Sequence, residues 1–306
     1  MANRKVYISG EIVSEEDAKI SIFDSAVLLG DTVTESTRTF NYKPFKLEEH
    51  IDRLYKSFKL TRIDPQMSKK EMLDVSLNLL EINKNEYASH EDCWLVHNVS
   101  RGHSITGGNP ALQVTKPTVM IYTQSMNLIL WAPFYTKGCH AVIPSTRMVP
   151  SQSLDARIKN RSRLFYTLAE IDAKLVDPDA QSVILDIHGN VAENKGGNIF
   201  IVRSGKLVTP TTANCLAGLT RDTTMEIAKS LGIEVIEAII QPYDLATADE
   251  MFFTSTPYSI MPATKLQGLD IGDGKVGPVT KKLIQGWSDR VGLDIIKQAQ
   301  DQVQNH

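Results

Sequence analysis

Four basic side chains, Arg157, Lys159, Arg161 and Arg163, occupy every second position of the run Ser153–Leu164. Such a run is ordinarily interpreted as basic side chains on a solvent-exposed surface. The residues after Lys159 follow a helical period, which predicts a helix of about four turns that begins immediately after it. A helix N-terminus and two arginines disfavour the ammonium form of a lysine, and a lysine with a lowered pKa can form an imine with a carbonyl group. On these residues alone, both interpretations stay open.

A carboxylate marks a second stretch with possible chemistry, ValAlaGluAsnLysGlyGlyAsnIlePhe at 191–200. Glu193 enters a glycine-containing turn between two predicted strands. Such a turn can present one acid to a buried heteroaromatic nitrogen. An ordinary polar hairpin explains the same pattern, so this stretch does not decide the function by itself.

Two further stretches carry groups that can bind an anion. In 216–222, Gly218 opens a predicted helix and leaves the N–H groups of Leu219 and Thr220 available to a phosphate. Alternatively, Thr220 only caps that helix. In 253–257, hydroxyl groups cluster at the end of a predicted strand, an arrangement that a polar loop would also produce.

Composition and cysteine usage restrict the class of protein. The 306 residues are 42% hydrophobic and 23% charged, as in globular proteins of one long domain or two, and the net charge of -3 predicts no nucleic acid or membrane partner. Residues 1–19 lack the apolar core of a signal peptide. Cys93, Cys139 and Cys215 are far apart and odd in number, which favours a reducing, cytoplasmic location. The seven histidines show no metal-binding spacing, and His97 is predicted to be a hydrogen-bonded core residue.

The elements that must position these residues follow from the apolar periodicity. Predicted strands cover Lys5–Val13, Thr32–Phe40, Cys93–Val99, Thr118–Tyr122, His140–Ile143, Ser182–Ile187, Asn198–Arg203, Lys206–Thr209, Glu234–Ile240 and Glu250–Thr254. Predicted helices cover Leu47–Leu60, Ser68–Ile82, about 219–231 and roughly Pro278–Asp301, besides the one marked by Leu164, Leu168, Ile171 and Leu175. Ser68 and Glu71 predict a capping box.

The distribution of these elements predicts an α+β architecture in two parts. We expect an N-terminal domain at 1–124, a connection at 125–137 and a C-terminal domain at 138–306. Glycine pairs at 107–108 and 196–197 indicate loops.

Seven short motifs occur in one order along nearly the whole chain. They are LeuGlyAspThrVal-x-Glu (29–35), LeuGluGluHisIleAspArgLeu (47–54), ArgIleLys (157–159), AlaGluAsn-x-Gly-x-AsnIlePhe (192–200), LeuAlaGlyLeuThrArg (216–221), AspGlu-x-Phe-x-Thr (249–254) and IleGly-x-Gly-x-x-GlyProValThr (271–280). Together they resemble the class IV, fold-type IV aminotransferases, which use pyridoxal 5′-phosphate (PLP). Each motif is weak alone, but seven in the family's order are very improbable by chance.

The resemblance implies a smaller N-terminal α/β domain and a larger, β-barrel-like C-terminal domain with helices. It implies that Lys159 binds PLP covalently and moves a proton during catalysis. Glu193 is implied to pair with the pyridine nitrogen, so that the ring works as an electron sink. Members of this family are usually homodimers, with the active site at the domain interface and partly closed by a loop of the partner.

The phosphate of PLP is also assigned by the resemblance. Arg53, in HisIleAspArgLeu, is implied to be its charged partner. The backbone amides of Leu219 and Thr220, with the hydroxyls of Thr220 and Thr256, are implied to complete the phosphate site.

One position near the lysine departs from the family pattern. The family commonly places an aromatic residue four or five positions after the lysine, near the ring oxygen of the cofactor. Arg163 and Leu164 occupy those positions here, and Tyr166 follows. Either Tyr166 replaces the aromatic residue, or Arg163 takes over part of its role.

The substrate motifs depart further. Where branched-chain enzymes read Phe-Glu-Gly-x-Arg, residues 34–38 keep Glu35 and Arg38 but begin with Thr34. Where those enzymes read Tyr-x-Arg, this chain reads Trp94-Leu95-Val96, which keeps an aromatic residue and loses the arginine.

Other segments resemble different branches of the family. AsnValSerArgGly at 98–102 is closer to D-amino acid aminotransferases and lyases, and 259–268 is similar to (R)-selective amine transaminases. The family often binds the substrate carboxylate with two backbone amides after the threonine, but Pro257 has no N–H. The expected substrate residues are Thr34, Arg38, Trp94, Arg163, Pro257 and Tyr258, and the missing carboxylate contact is assigned to one of Arg38, Arg101, Arg161 and Arg163.

These observations imply a PLP-dependent transaminase with a ping-pong mechanism, in which an amino donor and a 2-oxo acid acceptor react in turn. A branched-chain or similar L-amino acid is the expected donor, on the basis of Glu35, Arg38 and the overall similarity. The alternatives are D-amino acid or (R)-amine transamination, and 4-amino-4-deoxychorismate lyase chemistry, which needs no acceptor.

Overall fold

The computed structural model describes residues 3–88, 91–104 and 116–304. The chain forms two compact units, Met1–Met126 with Ile158–Ser162 (unit 1) and Asn127–Arg157 with Arg163–His306 (unit 2). Residues 158–162 thus belong to unit 1, whereas the sequence placed them in the C-terminal domain. The loop expected at glycines 107–108 lies outside the described residues.

Unit 1 contains one antiparallel sheet and two long helices. Its elements are β1 (Lys5–Ile8), β2 (Glu11–Ser14), α1 (Ser25–Leu28), β3 (Thr32–Phe40), β4 (Lys43–Pro44), α2 (Leu47–Thr61), α3 (Lys69–Asn83), β5 (Cys93–Ser100) and β6 (Thr118–Ser125), with 3-10 turns at Glu15–Asp17 and Lys84–Glu86. The strand order is β2-β1-β6-β5-β3-β4. The core of unit 1 lies on one face of this sheet, where Leu54 of α2, Leu79 of α3 and Leu95 of β5 are fully buried.

Two local predictions for unit 1 have different outcomes. The capping box of α3 is confirmed, because the Ser68 side chain accepts the Glu71 N–H and the Glu71 carboxylate accepts the Ser68 N–H. The single strand predicted over Lys5–Val13 is wrong, because the chain folds back at Ser9 and Gly10, which both have positive φ, and forms the hairpin β1–β2. The Ser9-Gly10 dipeptide is itself a turn signal that the alternation of the flanking residues masked.

Unit 2 contains a larger sheet, a short second sheet and the remaining helices. Its elements are α4 (Phe134–Lys137), β7 (Cys139–Val142), α5 (Leu164–Val176), β8 (Gln181–Ser182), β9 (Ile184–Leu185), β10 (Val191–Glu193), β11 (Asn198–Arg203), β12 (Lys206–Pro210), α6 (Leu219–Ser230), β13 (Val235–Ala238), α7 (Pro242–Ala246), β14 (Glu250–Ser255), β15 (Ser259–Leu266), β16 (Leu269–Asp270), α8 (Pro278–Val291) and α9 (Ile295–Gln304). The large sheet has the order β13-β12-β11-β14-β15-β7-β8, with β16 paired to β15, and β9 pairs with β10. The prediction of an α+β fold is confirmed.

Several boundaries in unit 2 differ from the prediction. The predicted strand Ser182–Ile187 is divided between β8 and β9, and β15 was not predicted. The predicted helix Pro278–Asp301 ends early, because Gly292 adopts a left-handed conformation with φ 65° and separates α8 from α9. A glycine at that position terminates the helix at little steric cost.

Helix α5 differs from the prediction in its start and in its buried face. It begins at Leu164, with Arg163 as N-cap, so it does not begin immediately after Lys159. Its dipole therefore cannot act on the Lys159 amine as the sequence suggested, since the effect is confined to the terminal turn. The apolar residues that predicted this helix remain exposed, and Ala169 and Ala173 face the core instead.

None of the helices in the described ranges has the length and apolar character that a membrane span requires.

His97 of β5 is a buried core residue, as predicted, and its Nε2 lies 2.8 Å from the Ser76 hydroxyl of α3. Burial lowers the pKa of His97 from 6.5 to about 4, so the folded protein resists protonating this ring. A group whose pKa is lower in the folded state stabilises the fold above its unfolded pKa, and that stability is lost as the pH falls.

We therefore expect the free energy of unfolding to fall by about 2 kcal/mol between pH 7 and pH 5 through His97 alone. Urea denaturation at the two pH values measures it. His97→Gln should reduce this pH dependence, whereas His188→Gln, at an exposed turn, should keep it. An equal pH dependence in the wild type and His97→Gln would contradict the assignment.

Candidate active site

The Lys159 segment is held against the edge of β3 in unit 1. Thr34 N–H donates to the Lys159 carbonyl at 2.9 Å, and Arg161 N–H donates to the Thr32 carbonyl at 3.0 Å. Val33 and Asn160 form the bridge pair between these two bonds. Since side chains two positions apart on an extended chain lie on the same side, Lys159 and Arg161 are placed together.

A buried carboxylate lies on the helix-facing side of β3. Glu35 is fully buried, and Arg53 of α2 donates to it through Nε and Nη2, at 2.8 Å each. His50 of α2 contacts the same carboxylate, with Nδ1 3.0 Å from Oε1. Burial by itself would raise the pKa of Glu35, but Arg53 and His50 hold it well below its usual range. The carboxylate is therefore charged, and it fixes the orientation of the Arg53 guanidinium.

On the opposite side of the sheet, three polar side chains form a hydrogen-bonded series. Arg161 Nε donates to Asn98 Oδ1 at 2.8 Å, and Asn98 Nδ2 donates to the Tyr122 hydroxyl at 3.1 Å. Asn98 is the register partner of Thr34. Because Leu95 and Val99 of β5 point into the core, Asn98 between them points to the other side, which we call the open face.

Other predicted substrate residues of unit 1 lie on this sheet as well. Arg38 and Trp94 are register partners on β3 and β5. Arg38 is 1% exposed, and its guanidinium lies 4.2 Å from the centroid of the Phe40 ring. Thr34 donates from its hydroxyl to the His97 carbonyl at 2.9 Å. The buried position of Arg38 favours a structural contribution.

Glu193 is the central acid of unit 2. It is the last residue of β10, and the turn Asn194–Gly197 follows it, as the sequence predicted. The side chain is buried, Oε2 accepts the Leu216 N–H at 3.0 Å, and Oε1 accepts the Tyr166 hydroxyl. A buried carboxylate with donors on both oxygens is held in one orientation.

The structure distinguishes the roles of Arg163 and Tyr166. The Arg163 guanidinium lies 4.2 Å from the centroid of the Tyr166 ring and donates to the Lys195 carbonyl. Burial and the adjacent Glu193 carboxylate raise the pKa of Tyr166 well above its ordinary value, so its hydroxyl stays a donor. Leu164, in contrast, is exposed. Tyr166 is therefore a partner of Glu193, and Arg163 covers its ring.

Two glycines permit close packing around the segment that follows Glu193. A Cβ at Gly197 would lie 2.4 Å from the Thr254 carbonyl, and a Cβ at Gly218 would lie 2.1 Å from Asn198 Oδ1. A side chain at Gly197 would collide with the backbone of β14, and a side chain at Gly218 would displace the Asn198 amide. The turn after Glu193 thus packs against the end of β14, and Asn198, the first residue of β11, packs against the N-cap of α6.

The N-terminus of α6 offers backbone donors. Leu219 and Thr220 are its first two residues, Gly218 is the N-cap, and no side chain caps the helix. Thr256, Pro257 and Tyr258 form the turn that follows β14, so the hydroxyl cluster does stand at a strand end, as predicted.

The sequence of this chain is similar to those of known aminotransferases. The family described as amino-transferase class IV matches residues 32–266. The chain is 38% identical, over 286 residues, to a putative branched-chain-amino-acid aminotransferase of Methanocaldococcus jannaschii, in a match that covers 93% of this chain and 96% of that protein. It is 28% identical to the branched-chain-amino-acid aminotransferase of Escherichia coli (strain K12), over 92% of this chain and 91% of the relative.

Solved structures give the same result. The crystal structure of the Escherichia coli branched-chain aminotransferase has a TM-score of 0.87 to this chain, at 28% identity and 94% coverage of both chains. The branched-chain aminotransferase of the thermophilic archaeon Thermoproteus uzoniensis, solved with norvaline, has a TM-score of 0.82, at 28% identity, over 94% of this chain and 95% of that one. This chain therefore belongs to the class IV aminotransferase family, and it is a fold-type IV, PLP-dependent aminotransferase.

The residues present fit PLP chemically. A buried carboxylate held by two donors suits a protonated pyridine nitrogen, and an uncapped helix N-terminus suits a phosphate. The Thr254 hydroxyl, near the end of β14, is buried and has no hydrogen-bond partner in the described part of unit 2. Residues 3–88, 91–104 and 116–304 contain no cluster of His, Cys, Asp or Glu suited to a metal ion.

Three features of the site were missed by sequence reasoning. These are the bond from Tyr166 to Glu193, the pairing of Arg53 with Glu35, and the chain Arg161–Asn98–Tyr122. Each joins residues at least 18 positions apart, so no local pattern signals them.

Removing the Tyr166 hydroxyl tests its effect on Glu193. We expect Tyr166→Phe to weaken PLP binding by roughly 5- to 30-fold, because Glu193 loses one of its donors. Fluorescence titration of apoprotein with PLP measures the dissociation constant. Tyr243→Phe, at an exposed position of α7, is the matched control and should bind PLP as the wild type does. Equal affinity in both variants would exclude this role for Tyr166.

Proposed function

We propose that this aminotransferase moves the amino group of a branched-chain L-amino acid to a 2-oxo acid by a ping-pong mechanism. The observation that carries the proposal is the 38% identity, over nearly the whole of both chains, to a relative described as a putative branched-chain-amino-acid aminotransferase. The amino group would rest on the cofactor between the two substrates.

Lys159 is proposed to hold PLP covalently and to move the proton between the substrate Cα and C4′ of the cofactor. PLP, when bound, supplies an electron sink that stabilises negative charge at the substrate Cα. The backbone bonds between Lys159 and β3 support the proposal, because they hold the residue in a fixed position for repeated proton transfer.

The remaining cofactor roles are proposed for residues of both units. Glu193 would accept the pyridinium N–H, and its two donors support this by fixing its oxygens. Arg53 would contact the phosphate, in an orientation that Glu35 determines. The amides of Leu219 and Thr220, with the hydroxyls of Thr220 and Thr256, would contribute the other phosphate contacts.

An apolar area on the open face supports the proposal that the substrate has a branched-chain side chain. Val96 of β5 is 1% exposed and lies between the positions of Trp94 and Asn98 on that side of the sheet. Trp94 and Met120 are half-buried on the same side. Where a Tyr-x-Arg motif would place a charge, this side of the sheet has the uncharged Val96, and the partly exposed Trp94 and Met120 beside it offer a surface that suits a hydrocarbon.

A half-reaction scan tests both the reaction and the donor. Holoenzyme without acceptor would be mixed in turn with L-leucine, D-leucine and both enantiomers of 1-phenylethylamine. We expect L-leucine to convert bound PLP to its pyridoxamine form, which absorbance follows. Conversion by D-leucine or the (R)-amine alone would overturn the L-amino acid proposal, and a cofactor that no donor converts would favour the lyase.

The role of Lys159 has a separate readout. Borohydride reduction followed by peptide mass spectrometry should find PLP attached to Lys159 in the wild type and in Lys206→Ala, an exposed control on β12. Lys159→Ala should carry no attached cofactor and should lose at least about 10³-fold in rate. Attachment at another lysine would contradict the assignment.

We infer that the enzyme is a homodimer. The apolar stripe of α5 supports this, because Leu164, Leu168, Ile171 and Leu175 are 74%, 48%, 51% and 82% exposed. An exposed apolar stripe of this kind is typical of a protein interface.

Charges placed in this stripe should dissociate the dimer. Analytical ultracentrifugation should give twice the 34.0 kDa chain mass for the wild type and the single chain mass for Leu168→Glu/Ile171→Glu. Ile239→Glu, at another exposed apolar position, should remain dimeric. A dimer that survives the double substitution would exclude α5 as the interface.

A reducing, cytoplasmic location is part of the proposal. Cys93, Cys139 and Cys215 are free, buried thiols. Burial raises the pKa of Cys93 to about 12, which makes its thiol unreactive.

A further inference from the structure

We propose that Arg161, oriented by Asn98 and Tyr122, binds a carboxylate group of the substrate. The inference rests on the proposed amino acid specificity and deepens it, because it names a specificity residue that the family motifs do not contain. It begins from a requirement of the chemistry: amino acids and 2-oxo acids carry a carboxylate, which an arginine binds well.

Burial or specific contacts assign three of the four candidate arginines to structural roles. Arg38 is 1% exposed and stacks on Phe40. Arg101 donates to the Asp31 carboxylate and, through both Nη atoms, to the carbonyls of Arg62 and Thr61. These bonds fix Arg101 as a link between loops of unit 1.

Arg163 belongs to unit 2 and covers the Tyr166 ring while it donates to the Lys195 carbonyl. Its contacts assign it to the support of Tyr166 and Glu193. Arg161 differs from these three in its position two residues after Lys159 and in its exposed side chain.

Arg161 has the position and orientation that a carboxylate site needs. It lies two residues after Lys159, on the same side of a segment that is bonded to β3. Its side chain is exposed and reaches across β3 to Asn98, so its Nε–H is directed at Oδ1 and the plane of the guanidinium is set. The paired N–H groups at the end of a guanidinium match the two oxygens of a carboxylate.

Asn98 is itself oriented by a second partner. Its Nδ2 donates to the Tyr122 hydroxyl at 3.1 Å, which directs Oδ1 toward Arg161. The three residues come from β5, β6 and the Lys159 segment, and all belong to unit 1. A preorganised arginine loses less side-chain entropy on binding, and this increases affinity.

Carboxylate binding can be measured without turnover. Calorimetry would titrate holoenzyme with 4-methylpentanoate, glutarate and 4-methylpentanol, which has no carboxylate. We expect Arg161→Ala to weaken binding of the carboxylates by at least about 10-fold and to leave the alcohol unchanged. Arg161→Lys should recover part of the loss, and Asn98→Ala should reproduce part of it.

Arg157→Ala is the matched control, since it removes an equal charge two residues before Lys159 from an arginine that pairs with Asp155. It should change carboxylate affinity by less than about 2-fold. Losses for both carboxylates would assign Arg161 to the α-carboxylate, and a loss for glutarate alone would assign it to a second carboxylate. If Arg161→Ala binds both as Arg157→Ala does, the proposal is wrong.

The steady-state constants separate this proposal from the proposed reaction. Arg161→Ala should raise KM by at least about 10-fold with a smaller change in kcat, because Lys159 is intact. Wild type that transfers no amino group from any amino acid would overturn the proposed function. Active wild type with an unchanged KM in Arg161→Ala would overturn only the carboxylate assignment.

Discussion

The pairing of the Lys159 segment with the edge of β3 is the constraint on which the proposed role of Lys159 depends. Two backbone hydrogen bonds, between Thr34 and Lys159 and between Arg161 and Thr32, hold a non-helical stretch as if it were a short strand. The pairing places Lys159 and Arg161 on one side. A side chain that must act repeatedly on the same atoms needs such a rigid base, and a strand edge supplies it without a helix.

The other side of β3 shows why this edge is itself well fixed. Glu35 is charged and fully buried, so it is stable only with the partners that α2 provides, Arg53 and His50. Removing one partner of a buried ion pair costs about 3–5 kcal/mol, far more than an exposed pair contributes. The position of α2 on β3 is therefore fixed by this ion pair as well as by the apolar core around Leu54 and Leu95.

Unit 2 also contains a buried carboxylate, Glu193, that hydrogen-bond donors hold in one orientation. Glu193 ends a short strand, and Tyr166 and Leu216 hold its two oxygens. The close approach of Gly197 to β14 and of Gly218 to Asn198 permits close packing around the segment that follows this acid. In both units a buried carboxylate is held in one orientation by donors from separate elements.

The sequence by itself determined the family, the α+β class, the bounds of long elements such as β3, α2 and β11, and the turn after Glu193 and the helix start after Gly218, because motifs, caps and periodicity are local properties. Its prediction of a catalytic Lys159 rested partly on a helix that begins immediately after that residue, whereas α5 begins only at Leu164. Tertiary structure alone decided the partners of Arg53, Tyr166 and Arg161. Hydrogen-bond partners distant in the chain depend on strand register and side-chain direction, and a shift of one residue would reverse both.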